Sequence, residues 1–147
     1  DPGRVRWFTL DDEGTRARSA ERPRALWWVV NTPDLDAGVA GSPIDLGEVV
    51  HFQRGERTWR LTVPTDGSLP MGGLVPAFIE WSPGPHPSTG QKDIGVTLRD
   101  IRLTHPEPER VLEVLTALRV DHLASVSEGV QGLAFEVSAP AGRVVLD

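Results

Sequence analysis

The stretch Val49–Trp81, VVHFQRGERTWRLTVPTDGSLPMGGLVPAFIEW, predicts three consecutive strands and decides the fold. Trp59–Val63 alternates apolar and polar residues, which is typical of a half-buried strand. Val49–Gln53 alternates more weakly and precedes it. The third strand, Leu74–Trp81, contains Pro76, which has no amide hydrogen and therefore weakens the first part of the ladder.

One strand and one helix precede this stretch. Leu26–Val30 (LWWVV) is an apolar run of aromatic and β-branched residues, which favours a buried strand. Thr32 is the predicted N-cap of a short helix over Asp34–Ala40, and Gly41 ends that helix. Residues 26–81 therefore predict a βαβββ unit.

The same order recurs in residues 96–147. A strand over Val96–Thr104, with a bulge near Asp100, precedes a helix whose apolar side chains recur at helical spacing. The members of that apolar face are Val111, Leu112, Val114, Leu115 and Leu118, and three strands follow at His122–Ser127, Gly132–Ser138 and Arg143–Leu146. Residues 82–95, rich in Pro, Gly and Ser, form a linker.

These patterns predict one α+β domain built from two paired βαβββ units. Residues 1–25 form a lead-in segment with one short helix, residues 26–81 the first unit and residues 96–147 the second. A βαβββ unit cannot cover both faces of its own sheet, so we expect the units to pair into a curved mixed sheet. Its concave side would form a cleft, and the helices would cover the convex side.

Composition excludes several classes of partner. The 147 residues carry a net charge of −6 with no basic cluster, so nucleic acid and anionic membrane surfaces are not expected partners. The absence of cysteine excludes disulfides and thiolate metal sites, and it fits a cytoplasmic location. No apolar run approaches the ~20 residues that span a bilayer.

An ordered set of motifs resembles the glyoxalase-like branch of the vicinal oxygen chelate superfamily, which includes glyoxalases, bleomycin-resistance proteins and dioxygenases. The motifs are Trp28–Ala37, Arg54-Gly55, Thr58–Pro64, Phe78–Trp81, His86-Pro87, Thr104–Pro106 and Pro140–Leu146, with a lead-in from Pro2-Gly3-Arg4 to Trp7-Phe8. Members of this branch usually begin with another βαβββ unit carrying a His and a Gly-Thr-x-Asn signature. Nothing here matches that unit, so the resemblance implies that the chain lacks it.

The resemblance also implies a divalent metal such as Mn²⁺, Fe²⁺ or Zn²⁺. In the superfamily a Glu on the last strand of a unit is a frequent ligand, which makes Glu80 the candidate here, and His51 is the second. The alternative is that Glu80 faces solvent or pairs with Arg60. Unit symmetry supplies no further ligands, because the first strands of both units lack His.

Five residues are candidates for binding a substrate: Arg54, Trp59, Arg60, Trp81 and His86. Gly55 permits a tight turn that displays Arg54, and alternation along the strand turns Arg60 away from Trp59. Guanidinium groups bind carboxylate or phosphate bidentately. The alternative for Arg60 is a structural pair with Glu80. The two tryptophans would wall the cleft, and His86 would fold back over its mouth.

Two functional classes remain open, and the residues do not decide whether the chain is an enzyme. The first is a glyoxalase-like domain that binds a small anionic molecule in a sheet cleft and, in its complete form, acts as a metal-dependent lyase, isomerase or dioxygenase. The second is a non-catalytic module for binding, sequestering or assembly. The expected partners are a small-molecule ligand and either a second copy of the chain or the missing N-terminal unit.

Overall fold

A computed structural model describes residues 5–147, so the Pro2-Gly3-Arg4 motif lies outside the described residues. The helices are α1 (Glu13–Glu21), α2 (Leu35–Ala40) and α3 (Pro108–Ala117). The strands are β1 (Val29–Asn31), β2 (Glu48–Arg54), β3 (Arg57–Val63), β4 (Ala77–Trp81), β5 (Thr97–His105), β6 (Ser125–Glu128), β7 (Gly132–Ala139) and β8 (Gly142–Leu146). The predicted α+β class and the repeated βαβββ order are confirmed. No helix in this part of the chain is both long and apolar enough to cross a membrane.

The two units form separate four-stranded mixed sheets with different strand orders. The first sheet has the order β1-β4-β3-β2, and the second has the order β6-β5-β7-β8. In the first, β1 lies parallel to the last strand of its unit, whereas in the second, β5 lies parallel to the strand that follows its helix. The single continuous eight-stranded sheet that pairing of the units would produce is therefore absent from residues 5–147.

The second sheet owes its order to a chain crossing at the end of β5. The segment from Gly129 to Gln131 leaves β6 on one side of β5 and enters β7 on the other. The hydroxyl of Thr104 donates to the Val130 carbonyl at 2.6 Å, and the Gly129 amide donates to the His105 carbonyl at 3.1 Å. The two bonds satisfy backbone carbonyls at the crossing and fix β7 beside β5.

Pro76 explains why β1 and β4 are shorter than predicted. The ladder begins with the Ala77 amide, which donates to the Trp28 carbonyl at 3.1 Å, since Pro76 has no hydrogen to donate. The indole nitrogens of Trp27 and Trp28 donate instead to the carbonyls of Val75 and Leu74, at 2.7 and 3.0 Å. The two indole N–H groups thus supply hydrogen bonds to the backbone carbonyls of residues 74 and 75, where the β1–β4 backbone ladder is absent.

One hydrophobic core joins the two units. Helix α3 and its C-cap residue Leu118 bury Val111, Val114, Leu115 and Leu118 at the i, i+3, i+4, i+7 spacing of an amphipathic helix. These side chains share a cluster with Trp28, Leu35 and Phe78 of the first unit and with Leu103 of the second. Leu112, predicted to belong to the same face, is instead 46% exposed, because it lies one residue beyond the buried stripe.

Candidate functional site

The two faces of the first sheet differ in chemistry. One face, here called the aromatic face, carries Phe52, Trp59 and Trp81 together with Leu61 and Ile79. The opposite face, here called the helix-covered face, carries Arg60 and Glu80, and α2 lies over it. Because side chains alternate along a strand, neighbours such as Trp59 and Arg60 serve different faces.

On the helix-covered face, Arg60 and Glu80 form an ion network with α2. Nη2 of Arg60 lies 3.0 Å from both carboxylate oxygens of Glu80, and Nη1 lies 3.1 and 3.0 Å from those of Asp36. Oε2 of Glu80 also accepts the Leu35 amide at 2.8 Å, which satisfies a backbone donor at the start of α2. The sequence predicted Thr32 as the N-cap, but Asp34 holds that position and accepts the Ala37 amide at 2.9 Å.

These contacts shift the titration of both partners. The hydrogen bond from the Leu35 amide and then those from Arg60 lower the pKa of Glu80 below its ordinary value of 4.5. The hydrogen bonds to Glu80 and then to Asp36 raise the pKa of Arg60. Glu80 and Arg60 therefore pair with each other, which is one of the two alternatives that the sequence left open. Contact between Arg60 and a substrate stays a prediction, and it would require these hydrogen bonds to break.

The lowered pKa predicts a pH-dependent stability difference between the wild type and Glu80→Gln. A carboxyl group whose folded pKa is depressed stabilises the fold fully above its unfolded pKa and loses that contribution as pH falls through the folded pKa. We expect Glu80→Gln to lower Tm by a few degrees at pH 7 and by progressively less below about pH 4.5. Thermal unfolding followed by circular dichroism from pH 7 to pH 3 measures this difference.

Other carboxylates with lowered pKa, including Asp11 and Asp147, are present in both proteins and cancel in the comparison. An equal Tm difference at pH 7 and pH 3 would show that the ionised carboxylate does not support the start of α2.

The two residues expected to bind a metal, Glu80 and His51, lie on either side of Arg60. His51 is the cross-strand partner of Arg60, which is in turn the partner of Glu80, so the three lie in one row on the same face. The guanidinium stands between the two predicted ligands and occupies both Glu80 oxygens. No group of three or more His, Asp or Glu side chains that could hold a metal ion occurs among residues 5–147. Metal binding by Glu80 and His51 remains a prediction.

The aromatic face carries a continuous row of rings across three strands. Phe52 and Trp59 are stacked, with centroids 5.5 Å apart and planes 8° apart, and Trp59 and Trp81 lie 5.1 Å apart. The His86 ring meets Trp81 edge-on at 5.9 Å. Its Nδ1 accepts the Ser88 amide at 3.2 Å and lies 2.7 Å from the Ser88 hydroxyl oxygen. Three of the predicted substrate-binding residues, Trp59, Trp81 and His86, therefore lie in contact with one another in a single row.

Two arginines stand at one end of this row. Arg54 follows Phe52 by two residues on β2, Arg57 precedes Trp59 by two on β3, and the two arginines are direct cross-strand partners. Gly55, at a φ of 63°, makes the tight turn between them, as predicted. Neither side chain forms an ion pair or a side-chain hydrogen bond with another residue of the described chain. Arg57 was not among the predicted binding residues. The two-residue loop after Arg54 does imply that Arg54 and Arg57 are cross-strand partners.

A small pocket adjoins the same end of the row. It has a volume of about 230 Å³ and lies between the β2–β3 hairpin and the loop after β4, with Arg57, Thr58 and Trp81 in its lining. The arrangement offers ring surfaces for stacking and guanidinium groups for an anion. Of the five predicted binding residues, Arg54, Trp59, Trp81 and His86 lie on or beside this face, and Arg60 lies on the other.

Comparison with known proteins gives a family match over most of the chain. The family model described as a glyoxalase-like domain matches residues 1–119, which include the whole first sheet and α3. No curated protein and no solved structure matched the chain.

Proposed function

The chain belongs to the glyoxalase-like domain family, and we propose that it binds a small planar anion on the aromatic face of its first sheet. The observation that carries the proposal is the row Phe52–Trp59–Trp81, half-buried and ending beside Arg54 and Arg57. Rings of this kind offer flat apolar surface to a ligand ring. The two guanidiniums offer charge-assisted hydrogen bonds to its carboxylate or phosphate.

The distribution of charge favours this face over the helix-covered one. Arg60 is already neutralised by Glu80 and Asp36, so an anion there would compete with two carboxylates. Arg54 and Arg57 form no ion pair within residues 5–147, although the exposed carboxylate of Glu56, in the turn between them, also lines the pocket. An anion at the hairpin end would therefore meet two available cations, with the pocket beside Trp81 accommodating part of the molecule.

We assign binding and orientation of the ligand to these residues and no bond-breaking step. A metal-dependent lyase, isomerase or dioxygenase would need ligands beyond those that the described residues supply. The ion network on Glu80 favours the non-catalytic binding or sequestering class for this part of the molecule. We also propose that the protein is cytoplasmic. We further propose that a second copy of the chain, or another βαβββ unit, completes the binding site.

Titration with 2-naphthoate, followed by quenching of tryptophan fluorescence, tests the proposal. We expect the double variant Arg54→Ala/Arg57→Ala to bind about 10-fold or more weakly than wild type, because two charge-assisted contacts are lost. The neutral isostere 2-naphthamide should bind the wild type about 10-fold or more weakly than 2-naphthoate does.

The matched control is Arg16→Ala/Arg110→Ala, which removes the same charge from two exposed helix positions. Its affinity should stay within about twofold of wild type, since long-range attraction between exposed charges is screened by salt. Equal weakening in the two double variants, or equal binding of naphthoate and naphthamide, would contradict the proposal.

A further inference from the structure

We infer that a second small-molecule site lies between α2 and the end of α3, and that it binds a short-chain aliphatic carboxylate. A cleft of about 710 Å³ opens there on the helix-covered side of the first sheet, away from the aromatic face. This volume falls within the range of about 300–1,000 Å³ that is typical of small-molecule sites. The inference does not depend on the proposed function.

The floor of the cleft is mainly aliphatic. Val30 and Phe78 come from the first sheet, while Leu118 and Val120 come from the turn that ends α3. Phe78, Leu118 and Val120 are each less than 10% exposed, so the floor is firmly packed. Such a surface suits a saturated chain, because burial of each methylene removes apolar area from water.

The rim of the cleft is polar and asymmetric. Arg119 and His122 line the wall formed by the second unit, and neither side chain makes an ion pair or hydrogen bond with another residue of 5–147. Asn31 and Asp34 line the opposite wall, where one Asp34 oxygen is already bonded to the Ala37 amide at 2.9 Å. A carboxylate over the aliphatic floor could therefore take hydrogen bonds from Arg119 and His122.

Arg119 occupies a backbone position that glycine would satisfy better. Helix α3 ends in a Schellman motif: the Val120 amide donates to the Leu115 carbonyl and the Arg119 amide to the Thr116 carbonyl, both at 2.9 Å. This motif places Arg119 at a φ of 60°, the left-handed region that side chains disfavour. The chain nevertheless places an arginine there, and that side chain lines the cleft.

This geometry makes Arg119→Gly an informative test, because stability and binding should change in opposite directions. Glycine suits the left-handed position, so we expect Tm to stay the same or to rise. The same variant removes the guanidinium, so we expect its affinity for hexanoate to fall by 10-fold or more. A merely structural role for Arg119 would leave affinity unchanged.

The measurement is a hexanoate titration of the ¹⁵N-labelled chain followed by NMR. In the wild type, amide resonances of Gly38, Gly41 and Val120, which line the cleft, should move in a saturable way. The control Arg110→Gln removes an exposed charge from the same helix and should bind hexanoate as the wild type does. Hexanamide should bind at least 10-fold more weakly than hexanoate.

Three outcomes would overturn the inference: no saturable shift at the cleft resonances in the wild type, unchanged affinity in Arg119→Gly, or an equal response to hexanamide. Movement of the Trp59 and Trp81 indole resonances in place of the cleft resonances would likewise reject this site. Failure of naphthoate to bind the aromatic face would leave the hexanoate result intact, so the two proposals fail separately.

Discussion

Leu115→Ala is expected to lower the free energy of unfolding by about 2–5 kcal/mol, the range for truncating a buried leucine. Leu115 is 0% exposed and lies in the cluster that joins α3 to both sheets. Truncation removes transfer free energy and leaves a cavity that the surrounding side chains fill only partly. Because the cluster includes Trp28 and Phe78, the loss should extend to the first unit.

The distribution of tryptophan makes this testable. Four of the five tryptophans lie in the first unit and Trp7 lies in the lead-in segment, so tryptophan fluorescence reports on residues 1–81, whereas Leu115 lies in the second unit. Urea unfolding followed by fluorescence and by circular dichroism should give coincident transitions, both shifted by the substitution. The control Leu112→Ala, on the same helix at 46% exposure, should cost less than about 1 kcal/mol. An unshifted fluorescence transition in Leu115→Ala would show that the units do not share a core.

Gly47→Ala should destabilise the chain by more than about 3 kcal/mol, through backbone strain and a steric clash together. Gly47 precedes β2 with a φ of 87°, and an added Cβ would lie 2.2 Å from backbone atoms of Val63 and Pro64 at the end of β3. Backbone atoms cannot rotate away as a side chain can. The methyl group would therefore force the start of β2 away from its partner strand.

Gly55→Ala separates the two causes. Gly55 also has a positive φ, 63°, but nothing lies within 4 Å of the Cβ position. Gly55→Ala should lower the free energy of unfolding by only about 1–2 kcal/mol, because it introduces backbone strain without a steric clash. Chemical unfolding of both variants gives the comparison, and losses of equal size would mean that the close approach at Gly47 contributes nothing.

Local chemistry predicted much of the fold. The helical spacing of Val111, Val114 and Leu115 identified α3, which spans Pro108–Ala117. The predicted bulge near Asp100 is confirmed by the shift in register between Leu98 and Asp100. The two last predicted strands, Gly132–Ser138 and Arg143–Leu146, also form and pair as the antiparallel strands β7 and β8. Each of these features depends on neighbouring residues, which is why periodicity and turn residues reveal it.

The order of strands within the sheets could not be predicted in this way. Both units have the same order of elements, yet β6 lies beside β5 while β2 lies far from β1. The difference depends on the crossing at Gly129–Gln131 and on the bond from Thr104 to Val130. A repeat in sequence order is compatible with either arrangement, because pairing is decided by contacts between distant segments.

The candidate site divides in the same way. The sequence predicted that Arg54, Trp59, Glu80 and Trp81 lie on three consecutive strands and that Arg60 and Trp59 point in opposite directions. The pairing of those strands and the face that α2 covers became known from the three-dimensional structure. Asp36 and the Leu35 amide on that helix engage Arg60 and Glu80, leaving the rings with Arg54 and Arg57 on the other face. The physical reason is that strand alternation assigns side chains to faces, whereas coverage of a face depends on the packing of distant elements.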